Sequence, residues 1–233
     1  MDKVFLFLRT VQYLKLKQIL YRLFYAFRSK YRHFVRFKFK YSFYRQGKPL
    51  QFDELIPNKT SFSTNKFTFL NNSVTFSSVI DWDYSDNGKL WTYNLNYFDF
   101  LNQRGLQKET GETLIFLFID QIRDLNNANE PYPTSLRAIN WVKFLSEHKI
   151  EKKSIDRYLF SQYRILLDQL EYHILGNHLL ENGFSLLFGG YYFNGNELYQ
   201  KGKDIITVEL GEQVLKDGAH FELSPMYHKI ILN

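Results

Sequence analysis

Apolar side chains recur every three to four positions through most of this chain, and short polar or glycine-containing breaks separate the periodic stretches. That pattern predicts helices over about 94–104, 110–124, 134–147, 152–168, 169–189, 196–215 and 225–232, joined closely enough to stack as helical hairpins. One region departs from it. Lys66-Phe67-Thr68-Phe69-Leu70 and Ser73-Val74-Thr75-Phe76-Ser77 alternate apolar and polar side chains around Asn71-Asn72, which predicts a short β-hairpin near residues 66–77. Gly189-Gly190 reads as the stop of the 169–189 helix. The expected fold class is therefore mainly α with one small hairpin.

The N-terminal pattern is also helical, over residues 3–28: Val4, Phe5, Leu8, Val11, Leu14, Ile19, Leu20, Leu23 and Phe24 repeat at near-helical spacing. Charge sets this part apart. Residues 1–50 carry 13 Lys and Arg against one acidic residue, Asp2, whereas the rest of the chain has an acidic excess and the whole is +6. The organisation expected is a basic, aromatic helical arm over 1–50, an irregular and β-hairpin segment over 51–90, and a helical domain over 91–233. A basic, aromatic arm suits an anionic polysaccharide or, through residues 1–45, an anionic membrane surface. Nucleic acid is not expected, because no recognition motif accompanies the charge. The plain alternative is a solvated basic face on a helix packed against the domain.

Candidate chemistry concentrates in two blocks. Taken as one helix, the block that begins at Leu170 puts His173, Asn177, Glu181 and Ser185 on an i, i+4 stripe with His178 and Asn182 beside it. A solvated face would carry Lys, Arg and Glu; Asn, His and Ser instead suggest a partly buried, polar groove wall. A core helix whose polar groups satisfy neighbouring loops accounts for the same residues. In the second block Asp217-Gly218 signals a turn, Ser224 suits an N-cap and Pro225 the first helical position. Tyr227 would then lie in the first turn, where the helix dipole favours an anion, with His228 beside it as a second proton carrier; packing of an aromatic residue at a helix start is the alternative.

A third segment, Pro131 to Trp141, places Arg137, Asn140 and Trp141 on one helical face. Arg137 there could hold a carboxylate or sulfate while Trp141 stacks on a sugar ring, with Trp91, Tyr93, Asn94 and Asn96 adding to the same cleft. Equally, Arg137 could bond helix carbonyls and Trp141 could fill the core.

Several classes are poorly supported. The chain has no cysteine, so disulfide and thiol chemistry are excluded. His173 and His178 are five residues apart, no HExxH occurs and no glycine-rich phosphate loop is present, so neither a metal nor another cofactor is expected. The run Val4–Leu8 is shorter than a secretory apolar core, and no stretch reaches the 18 or so apolar residues of a membrane span. The 23 Phe and 17 Tyr supply a large core and rings for sugar stacking.

Trp91-Thr-Tyr-Asn-Leu-Asn-Tyr-Phe-Asp-Phe-Leu101, Pro131-Tyr-Pro-Thr-Ser-Leu-Arg-Ala-Ile-Asn-Trp141 and the two blocks above resemble, in order and spacing, the N-terminal domain of the heparinase II/III-like polysaccharide lyases. The resemblance implies an (α/α) toroid joined to a C-terminal β-sandwich, cleaving uronic-acid polysaccharides of capsule or exopolysaccharide type by β-elimination. It implies Asn177 as the group that neutralises the uronate, Tyr227 as the proton carrier, His178 and Glu181 beside the first, and His228 beside the second. Because the chain ends at Asn233, the expectation is an incomplete toroid with the β-sandwich missing or separately encoded, and weak or no turnover. The family role implies a periplasmic or envelope location. A non-catalytic carbohydrate-binding or scaffold remnant, membrane-peripheral in one form, is the alternative function.

Overall fold

A computed structural model describes Gln12 and residues 14–221. Its helices are α1 (Leu16–Phe34), α2 (Lys89–Tyr97), α3 (Lys108–Gln121), α4 (Pro131–Glu147), α5 (Lys153–Asp168), α6 (Gly176–Tyr192) and α7 (Asn196–Gln213). Between α1 and α2 lies an antiparallel sheet in the order β1 (Phe62–Ser63), β2 (Lys66–Phe69), β3 (Asn72–Thr75). The expected hairpin is its β2–β3 pair, in which Phe67 faces Val74 across the ladder and is wholly buried.

Contacts give the helices a two-layer order. Lys89 meets Glu130 just before α4 and Tyr97 O accepts from Asn140, while Tyr132 and Ser135 meet His178 and Asn182. Sequence numbers rise together in each pair of helices, so α2, α4 and α6 run in the same direction side by side. The intervening helices run the other way: Phe118 of α3 lies against Arg137 and Gly111 against Phe144, while Tyr163 of α5 lies against Gly189 and Asp156 against Tyr192. Alternating parallel inner helices and antiparallel partners are the layout of an incomplete helical toroid.

The core is aromatic. Trp82, Trp91, Trp141, Phe98, Phe100 and Phe118 are fully buried, with Trp82 stacked on Phe98 at 5.0 Å and Phe98 edge-on to Trp141 at 5.6 Å. Glycines set the close approaches. A Cβ at Gly190 would lie 2.8 Å from the Tyr199 backbone, and one at Gly202 would lie 2.8 Å from Gly183 O. Gly189-Gly190 therefore does not end its helix, which continues to Tyr192; the pair lets α5 and α7 approach α6.

Two further helix boundaries differ from expectation. The 94–104 helix begins earlier, at Lys89 after Gly88, and stops at Phe98, whose left-handed φ of 60° turns the chain into a 3₁₀ segment at Asp99–Asn102. The 169–189 helix begins only at Gly176: α5 ends at Asp168, and residues 169–175 form a tight turn closed by Ile174 N–H and Leu175 N–H on Glu171 O. The predicted 225–232 helix lies outside the described residues, as do most of residues 3–13.

Helix α1 packs with its polar side inward. Gln18 donates to Ile174 O, Arg22 to His173 O, Tyr25 to Leu170 O and Arg28 to Asp168 O, and Arg32 pairs with the Asp168 carboxylate at 2.5 Å. Its 19 residues contribute nothing to the buried core.

Candidate functional site

The turn before α6 builds the site. Leu175 and Gly176 both have positive φ, 63° and 61°, so the chain reverses and launches α6 with Asn177 and His178 in its first turn. The helix start already holds a carboxylate, as its dipole favours: Glu209 of α7 accepts from Gly176 N–H at 3.1 Å. Because α2 and α4 run parallel to α6, their N-terminal ends stand on the same side. Glu130, which precedes the first residue of α4, pairs with Lys89 at the start of α2 at 2.8 Å and accepts a hydrogen bond from Tyr93.

A buried carboxylate orients the imidazole. Glu171 is almost wholly buried; one oxygen lies 3.0 Å from His178 Nδ1 and the other accepts from Asn182 Nδ2 at 3.0 Å. Asn182 also donates to Ser135 Oγ and accepts from Glu171 N–H, which ties α4, the turn and α6 together. With Nδ1 committed to Glu171, the tautomer leaves Nε2 as the nitrogen for chemistry. The His178 ring packs on Tyr132 with centroids 4.4 Å apart, and Tyr132 in turn meets Tyr97 at 5.9 Å.

Glu181 extends this wall one turn along α6. Burial pushes its carboxyl up to about 7; Asp99 raises it further, while Lys143 and His178 oppose the shift. Asp99, also raised by burial, accepts from Asn140 Nδ2 at 2.6 Å, and Asn102 donates to Asn140 Oδ1 at 2.9 Å. Asn140 is thus linked to the wall through Asp99.

The other expected ligand groups are placed differently. Arg137 is fully buried and donates to Gln162 Oε1 at 2.7 Å, Ala128 O at 2.8 Å, Thr134 Oγ1 at 3.1 Å and Asn96 O at 3.3 Å, over the Phe118 ring. Burial lowers its pKa to about 9, and its donors clamp carbonyls of α2 and the α3–α4 loop; it faces no cleft. Trp141 is in the core, and Trp91 is buried with its indole N–H on Asn72 O of the hairpin at 3.1 Å. A sugar ring can reach neither. Asn94 bonds back to Leu90 O within α2, and Asn96 is a buried clip from α2 to Trp82 O.

His173 leaves the proposed stripe because it sits in the turn, edge-on to Tyr25 of α1 at 5.0 Å, with its pKa lowered chiefly by burial. Asn177, His178 and Glu181 remain together on the first two turns of α6; Ser185 is buried. Tyr227 and His228 lie outside the described residues. Ahead of them, Asp217-Gly218 forms the expected turn: Gly218 has φ 84°, Ala219 N–H bonds Asp217 Oδ1, and Val214 pairs with His220.

Sequence reasoning passed over Glu171, Tyr132, Asp99 and Lys143 as site residues. Glu171 had a signal, since a carboxylate seven residues before a histidine becomes its partner once the intervening Leu175-Gly176 pair folds the chain back. Among the described residues, no group of three or more His, Asp and Glu side chains is placed to hold a metal ion.

Residues 133–233 match the family described as Heparinase II/III N-terminus. No curated protein and no solved structure matches the chain. The matched stretch holds most of α4, all of α5 to α7 and the Asn177–His178 corner, while the resembling segment Trp91–Leu101 lies before it. Over residues 133–233 the chain is related to the heparinase II/III N-terminal family.

Proposed function

We propose that this chain carries the uronate-binding half of a polysaccharide lyase site, with Asn177 and His178 receiving the substrate carboxylate at the N-terminal end of α6. The observation that carries this reading is an amide and an imidazole together in the first turn of α6, the imidazole oriented by a buried Glu171, inside the stretch matched by the family. A carboxylate seated there meets the Asn177 amide and the His178 Nε2 side.

The chemistry follows from that placement. Neutralising the uronate lowers the barrier to removing the C5 proton. A base takes that proton, the C5–H electron pair becomes the C4–C5 double bond, the C4–O4 bond breaks, and O4 leaves with a proton. Tyr227 is the proposed proton carrier, with His228 beside it; His178 is the imidazole closest to the bound carboxylate. Glu181, protonated below about pH 7, is a hydrogen-bond donor to a sugar oxygen and adds no charge against an acidic polymer.

Incubating the chain with polygalacturonate and with glucuronate-containing polymers, and following the ultraviolet absorbance of the unsaturated uronate, tests this. Turnover lost in Tyr227→Phe and lowered on the order of 100-fold or more in His178→Ala supports it. The second reading, carbohydrate binding without turnover, is favoured by the carboxyl groups Asp99 and Glu181 on the same wall. Polymer binding that depends on Asn177 and His178, with no absorbance change, would establish it. Neither binding nor turnover would overturn both.

A further inference from the structure

Helix α1 turns its apolar side outward. Leu16, Leu20, Phe24, Phe27, Tyr31 and Phe34 follow one another at i, i+3 and i+4, a stripe about 100° wide. All are exposed, Leu16 by 71%, Phe27 by 72% and Phe34 by 85%. The opposite face cannot simply rotate outward, because Gln18, Arg22, Tyr25, Arg28 and Arg32 are bonded to residues 168–174. Leu23, at 65% exposure, adds to the same side of the helix. A patch of this kind marks an interaction surface.

Charge selects the occupant. Lys17 and Lys30 flank the stripe on the helix, and Arg36, Lys38 and Lys40 follow it in the chain, within the first 50 residues, which hold 13 Lys and Arg against a single acidic residue. A second copy packed on this stripe would bring two strongly basic arms together, so self-association is opposed. A polysaccharide could answer the basic rim but offers little to cover the aliphatic positions Leu16, Leu20 and Leu23. Anionic phospholipid answers both, with acyl chains under the stripe and headgroups at the rim. The helix is about 28 Å long, enough to lie along a bilayer surface, and among the described residues no helix is long and apolar enough to cross one.

We infer that α1 is an in-plane membrane anchor that holds the domain against an anionic phospholipid surface through its outward Leu/Phe stripe. Sedimentation of the full chain with vesicles of phosphatidylcholine alone, and of phosphatidylcholine mixed with phosphatidylglycerol, tests it. The expected result is binding to the mixed vesicles, weakened by salt and much weaker on the neutral ones. Phe24→Ser with Phe27→Ser lowers that binding roughly tenfold or more, and Lys30→Gln with Arg36→Gln lowers it roughly fivefold per charge while neutral-vesicle binding stays the same. Since these side chains are exposed, the far-ultraviolet circular dichroism of both variants remains that of the parent. Equal binding to the two vesicle types, binding untouched by the double Phe variant, or dimerisation abolished by that variant with no vesicle binding would each overturn the assignment.

Discussion

At the scale of single residues, burial separates scaffold from site. Arg137 and His178 are both polar groups on inner helices, but the guanidinium spends its donors on buried oxygens whereas the imidazole commits only Nδ1, to Glu171, and stays partly exposed. Arg137→Ala would leave several buried acceptors without partners, and an expected loss of about 3 kcal/mol or more in urea unfolding checks this. Polymer affinity per folded molecule should stay at the parent value, an outcome that a ligand-binding arginine would not give. Glu181 makes the pH prediction. Its folded pKa of about 7 lies above the ordinary 4.5, so the fold favours the protonated acid: that contribution is full below pH 4.5 and is lost as pH rises through 7. Glu181→Gln should therefore gain stability over the parent between about pH 5 and pH 8, by on the order of 2 kcal/mol in chemical denaturation. The same variant should remove any weakening of polyuronate binding over that range.

At the scale of elements, the decisive feature is where α6 begins. Periodicity alone continued the helix back to residue 169, because Leu170, Ile174 and Leu175 fit the apolar repeat. The turn prevails because Leu175 and Gly176 take positive φ values that a helix interior does not contain. Gly176→Ala would place a side chain at φ 61° and should cost about 1 kcal/mol of stability, with a larger proportional loss of polymer binding because Asn177 and His178 shift with the helix start. The packing of α6 on α7 is equally specific. Gly202→Ala meets backbone on α6 at 2.8 Å, and an expected loss of about 1 to 3 kcal/mol in thermal unfolding would register the forced separation. The hairpin, by contrast, was readable from alternation around Asn71-Asn72, since a period of two has no helical competitor there.

At the scale of the whole molecule, the parallel run of α2, α4 and α6 brings three N-terminal ends to one side, and the Asn177–His178 corner stands among them. Helix α1 lies against the turn that carries Glu171, held by Asp168 and by the carbonyls of residues 168–174. Asp168→Asn together with Tyr25→Phe should loosen α1, seen as faster limited proteolysis between residues 34 and 50 with the rest of the domain protected. Loosening should also weaken vesicle binding, because a freely rotating helix no longer presents its stripe in register with the domain.

The sequence by itself determined the helical class, the small hairpin, the basic and aromatic N-terminal arm, and the residue types of the site, because spacing and side-chain chemistry are local properties. Its likeness to heparinase II/III-like lyases was legible for the same reason, in long motifs with unusual composition. Only the tertiary structure decided that Trp91, Trp141 and Arg137 are interior, that Glu171 orients His178, and that α1 faces the domain with its polar side. Those outcomes depend on which surface each helix buries and on the partners met there, and a helical repeat specifies a face without specifying what it faces.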